Sequence, residues 1–106
     1  MVTRNDLRKV MSDAVRFVRE NNFTQKEALK TAWRNLKLCK KMADGVVRFV
    51  FKKIDGTFRE AHGTLAHNEV PAVTGSRRTN DSCQTYFDKD KNEWRCYKKA
   101  NLLFVL

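Results

Sequence analysis

The sequence predicts an α+β protein, a basic helical arm over residues 1–45 followed by a small five-stranded antiparallel barrel over residues 46–106. Three features point to it. Two amphipathic helical patterns fill the first half, and two strand, polar turn, strand runs, Val46 to Leu65 and Ser82 to Lys99, fill the second. At 106 residues the chain holds one compact core, with room for a helical hairpin docked on it.

The first helix is expected from about Arg4 to Glu20, because Thr3 can cap the free backbone amides and Asp6 stands where a carboxylate completes a capping box. Its apolar stripe is Leu7, Val10, Met11, Ala14, Phe17 and Val18. Asn21 and Asn22 break the pattern. Phe23 as staple, Thr24 as cap and Glu27 three residues on then start a second helix, with Ala28, Leu29, Ala32, Leu36, Cys39 and Ala43 on its buried side and Asp44-Gly45 as its stop.

Val46 to Phe51 is β-branched and aromatic, with Val47, Phe49 and Phe51 on one face. Asp55-Gly56 predicts a type I′ hairpin turn, in which both central residues take positive φ. The returning strand, Thr57 to Leu65, contains Gly63, a position expected to bend or bulge. Ala66 to Asp81 reads as a loop. A second hairpin pairs Ser82 to Phe87 with Glu93 to Lys98, and the short strand Leu102 to Leu106 is expected to lie against the first strand. Phe49, Phe51, Leu65, Phe87 and Leu103 are the expected barrel core. Five strands with a tight first hairpin suit an SH3-like or Sm-like barrel, with the OB-fold as the nearest alternative.

Twenty-two Lys and Arg against twelve Asp and Glu leave a net charge of +10, enough to attract polyanions, although a basic surface also serves solubility alone. Lys26, Lys30, Arg34, Lys37 and Lys41 recur at intervals of three or four, forming one cationic row on the second helix. Trp33 borders this row, where an indole either stacks on a base or closes the edge of the core. Arg77 and Arg78 add two donors in the long loop. Arg95 and Tyr97 alternate onto one face of their strand, while Lys98 lies on the other with Trp94 and Cys96. Two readings of that strand stay open: Arg95 and Tyr97 hold a phosphate and stack a base, or Tyr97 is core and Arg95 pairs with Glu60 or another carboxylate.

No catalytic constellation is legible. His62 and His67 lack an acid or nucleophile at a recognised spacing, no glycine-rich phosphate loop occurs, and no metal-ligand or cofactor motif is present, so a non-enzyme without cofactor is expected. Cys39, Cys83 and Cys96 lack the spacing of a zinc site or a disulfide framework and are expected reduced, although Cys83 and Cys96 face one another if a four-residue loop joins their strands. Charged residues at the N-terminus and the lack of a long apolar run predict a cytoplasmic protein without a membrane partner.

The segments Phe51-Lys52-Lys53-Ile54-Asp55-Gly56-Thr57-Phe58-Arg59-Glu60-Ala61 and Gly63-Thr64-Leu65, with Tyr86-Phe87-Asp88, Trp94-Arg95-Cys96-Tyr97-Lys98 and Asn101-Leu102-Leu103, resemble a family of small WYL-like proteins with an Sm-like SH3 β-barrel. The resemblance spans roughly Val46 to Leu103 and implies a setting in bacteriophages or bacterial mobile elements. It also implies a barrel that binds nucleic acid or a nucleotide-like ligand, as the larger WYL domains do. In that comparison Arg95 matches the arginine of the closing strand, Tyr97 the aromatic two residues on and Lys98 the basic residue after it, whereas Ala100 and Asn101 depart from the acidic residue and arginine of the larger domains. The expected function is sequence-tolerant binding of RNA or DNA. The alternatives are an interaction module directed at a host protein complex and a sensor for a nucleotide ligand, with a homo-oligomer open in each case.

Overall fold

The computed structural model describes residues 3–66 and 82–106, in which two helices lead into one five-stranded antiparallel sheet. Arg77, Arg78 and His67 lie outside the described residues. Helix α1 (Arg4–Asn21) begins with the expected reciprocal cap: the Asp6 amide donates to Thr3 Oγ1 at 3.1 Å and the Thr3 amide donates to Asp6 Oδ2 at 3.0 Å. It ends at Asn22 with φ 57°, a left-handed conformation that asparagine tolerates better than most residues. Helix α2 (Gln25–Asp44) starts at Thr24, whose hydroxyl accepts from the Glu27 amide at 3.2 Å.

The strands are β1 (Val47–Lys52), β2 (Phe58–Thr64), β3 (Cys83–Asp88), β4 (Glu93–Lys98) and β5 (Leu102–Val105), with a 3-10 turn at Lys99–Asn101 between the last two. Their order in the sheet is β4-β3-β2-β1-β5, a meander whose final strand returns beside the first. That arrangement fits the SH3-like expectation and not the Greek-key order of an OB-fold.

Five details differ from the expectations. The first hairpin turn is not type I′: only Gly56 takes a positive φ, 92°, while the Gly56 amide donates to Lys53 O at 3.0 Å and the Lys53 amide to Thr57 O at 2.7 Å. This is a longer loop with the glycine in the left-handed position, and Asp55 is held by accepting from the Thr57 amide and hydroxyl. Gly63 marks no bulge, since it pairs regularly with Val47 and with Asp88. It makes room instead: a Cβ there would meet Tyr86 Cδ2 at 2.7 Å and Phe49 Cε1 at 2.9 Å. The irregularity of the sheet falls between β1 and β5, at Val50/Phe51.

The third difference follows from it. Phe51 sits opposite Leu102, so Leu102 rather than Leu103 enters the core, and Leu65 only borders it. Fourth, Cys96 stands opposite Thr85 and Cys83 opposite Lys98, so the two thiols are diagonal neighbours rather than a facing pair, and both are free.

Fifth, each helix buries only part of its expected stripe, and α2 buries a further face. Val10, Ala14 and Phe17 of α1 pack on Ala28, Ala32 and Leu36 of α2, leaving Leu7, Met11 and Val18 exposed because one neighbouring helix cannot cover so wide a stripe. Helix α2 has neighbours on two sides. Its Leu38 and Met42 join Phe49, Phe51, Ala61, Tyr86, Tyr97 and Leu102 in the barrel core, while Ala43 is exposed. The Met42 carbonyl accepts from the Leu65 amide at 2.9 Å and the Thr64 hydroxyl at 3.2 Å, fixing the end of α2 to the end of β2.

Candidate nucleic-acid interface

The cationic row is real and lies in solvent. Lys26, Lys30, Lys37 and Lys41 are exposed along α2, as their spacing requires. Lys26, Leu29, Lys30, Trp33, Arg34 and Lys37 line one open groove of about 550 Å³, with Lys41 a further turn along. Trp33 is half-buried and packs one side against the interhelical core, which leaves part of the indole among the lysines. Arg34 departs from the pattern of its neighbours: its Nη1 donates to the Leu102 carbonyl at 3.1 Å, anchoring the guanidinium where α2 meets β5. The groove thus offers mobile ammonium groups around a fixed guanidinium and an aromatic edge.

Arg95, Tyr97 and Lys98 do not form the surface that strand alternation allowed. Tyr97 is 2% exposed, stacks on Phe51 with ring centroids 5.5 Å apart, and donates from its hydroxyl to Asn35 Oδ1 at 2.7 Å. A base cannot stack on it. Burial also pushes its phenol well above the ordinary range. Arg95 does share its face, but that face looks into the barrel mouth, where Arg95 Nε donates to Glu93 Oε1 at 2.8 Å and lies 3.8 Å from Asp88 Oδ2. Glu60 is engaged elsewhere, by Arg48 at 2.8 Å.

The barrel mouth is a second concavity, about 510 Å³, with Phe51, Tyr86 and Tyr97 among its lining and Lys52, Lys53, Arg59, Arg95 and Lys98 also bordering it. Asp88 anchors its charge. One carboxylate oxygen accepts from the Asp90 and Lys91 amides of the β3–β4 turn, and the other accepts from Arg59 Nη2 at 3.1 Å. Tyr86, buried beside this group, has its phenol pushed up to about 12, first by desolvation and then by Asp88. Arg59 escaped the sequence reading. The sign of it was its pairing: Arg59 stands opposite Phe51, so an inward Phe51 brings Arg59 to the same side. His62 accompanies neither concavity and pairs with Asp90 at 2.8 Å. Among the described residues no group of His, Cys, Asp and Glu is placed to hold a metal ion, and no helix is long and apolar enough to cross a membrane.

A family model described as WYL_2, Sm-like SH3 beta-barrel fold, matches residues 35–103. The chain belongs to the WYL_2 family. The match begins at Asn35, inside α2, so the WYL_2 region takes in Leu38 and Met42, the two α2 side chains that enter the barrel core. It contains Leu102, where Arg34 is anchored, and the whole β4 strand, whereas Lys26, Lys30, Trp33 and Arg34 itself lie before it. No curated protein and no solved structure matches the chain.

Proposed function

We propose that this protein is a sequence-tolerant nucleic-acid-binding module whose interface is the α2 groove, most of which precedes the WYL_2 region, and that it works by binding rather than catalysis. The observation that carries this reading is the meeting of Lys26, Lys30, Arg34 and Lys37 with the indole edge of Trp33 in one open groove. Ammonium groups at helical spacing follow a phosphate backbone without selecting bases, and a base stacked on the exposed part of the Trp33 indole contributes roughly 1–3 kcal/mol whatever its identity. The net charge of +10 adds long-range attraction for the same ligand.

Replacing Lys26, Lys30 and Lys37 together with glutamine tests it, since helix propensity is nearly kept and Arg34, which braces β5, is left in place. Affinity for every oligonucleotide should fall. The slope of log affinity against log salt should flatten by up to about two to three units, because each lost phosphate contact releases about 0.7–0.9 fewer counterions. Unchanged affinity and slope would remove the groove from the interface.

The barrel mouth supports a second reading, a sensor for a small anionic ligand such as a nucleotide, because Arg59 and Arg95 flank Tyr86 there. Stabilisation by mononucleotides that survives the triple lysine replacement would favour it.

A further inference from the structure

We propose that the groove between α1 and α2 is a docking site for an acidic amphipathic helix of a partner protein. Leu7, Met11, Val15 and Val18 form a continuous row along α1, and their exposures of 48%, 55%, 50% and 39% leave them without a full counterpart among the described residues. The row is not a flat patch. Met11, Ala14, Val15 and Val18 face Ala28 and Leu29 across a trough of about 400 Å³, whose floor of two alanines admits the ridge of another helix. From Leu7 to Val18 the row runs roughly 16 Å at 1.5 Å per residue, about three turns of a partner.

Charge identifies the occupant. On the α1 side the row is bordered by exposed Arg4, Arg8 and Arg19, and on the α2 side exposed Lys26 and Lys30 stand just beyond Leu29. Both banks are therefore cationic, and a helix with apolar residues toward the trough and carboxylates along its edges matches them. A second copy of this chain does not. An antiparallel two-fold pairing of α1 sets the Arg4, Arg8 and Arg19 ridge of one copy against the same ridge of the other. A bilayer surface is the poorer fit as well, because a plane cannot reach Ala14 and Ala28 at the bottom of the trough.

The test uses the full chain and a labelled helical peptide of roughly 18 residues, with leucines on one face and glutamates along both borders. Two control peptides accompany it, one with lysines for the glutamates and one of identical composition in scrambled order. The glutamate-bordered peptide should bind at least about tenfold more tightly than either control. Met11→Gln with Val15→Gln should weaken it by about tenfold or more while oligonucleotide affinity and the thermal midpoint hold, since both side chains are exposed in the free protein. Arg8→Glu with Arg19→Glu should turn the preference toward the lysine-bordered peptide. Equal binding of the scrambled peptide, or indifference to the Met11 and Val15 replacements, would overturn the proposal. So would a dimer that those replacements convert to monomer, or anionic vesicles that bind through the same row while the peptide does not.

Discussion

Asn35 is a polar side chain, 3% exposed, with both donors and its carbonyl oxygen engaged. Its Nδ2 donates to the Thr31 carbonyl at 2.9 Å and to the Lys99 carbonyl at 2.8 Å, and its Oδ1 accepts from Tyr97. Replacing Tyr97 by Phe keeps the ring packing against Phe49 and Phe51 but strips Oδ1 of its donor. The expected cost in urea unfolding is about 1–3 kcal/mol, the penalty of an unsatisfied buried acceptor, with oligonucleotide affinity unchanged. Retained stability together with lost affinity would instead restore Tyr97 to the interface. The alternation of β4 made it plain that Arg95 and Tyr97 share a face. It carried no sign of which face is the interior, because an aromatic residue and an arginine suit both a stacking platform and a barrel mouth.

Capping chemistry and hydrophobic period were the most legible parts of the elements. Thr3, Asp6 and Thr24 hold the helix starts they were expected to hold, because the capping hydrogen bonds themselves join residues three apart in the chain. What period could not reveal was the number of neighbours each helix has. The stripe of α1 is wider than its one partner, and α2 buries Thr31 and Asn35, polar residues that look solvent-facing until the 3-10 turn is laid over them. The cationic row was legible for the complementary reason, since exposed lysines need no partner to be where helical spacing puts them.

The α1 cap also has a pH signature. The Lys40 ammonium at 2.8 Å and then the Thr3 amide hold the Asp6 carboxyl at about 2, below its ordinary 3.8. A carboxyl lowered by folding stabilises the protein above its unfolded value and loses that contribution as pH falls through its folded value. The thermal midpoint of the native chain should therefore exceed that of Asp6→Asn at neutral pH. The gap should begin to close near about pH 4 and vanish below about pH 2. A gap that persists at the acid end would mean the carboxylate is not what holds the cap.

Across the whole molecule the joint between helices and barrel is made by α2. Its Leu38 and Met42 are barrel core, its final carbonyl region is tied to β2, and Arg34 and Asn35 reach β5 and the 3-10 turn. Helix α1 is attached mainly through α2, and among the described residues a buried contact also ties it to the 3-10 turn: Lys99, 7% exposed, sets its ammonium 3.5 Å from Asp13, which also accepts from Arg16. Such a pair steers the docking of α1 more than it stabilises it, because both charges have been taken from water.

The amide of Asn35 has a consequence in time. A slide of α2 by one turn, or a rotation by one residue, would forfeit together the two hydrogen bonds that Asn35 makes outside its own helix, to Lys99 and Tyr97, so α2 has a single seat and no shallow neighbouring one. Helix α1 has no comparable key, and its release costs one face of three apolar side chains, the Asp13–Lys99 contact and the Asp6–Lys40 pair. Native-state hydrogen exchange should accordingly resolve two openings: a smaller, more frequent one that frees the amides of α1 as a unit, and a global one shared by the second half of α2 and strand β1. A single opening energy for all of these amides would show that α1 and the barrel breathe as one body, and the different tempo of their motions would then have no basis in how they are fastened.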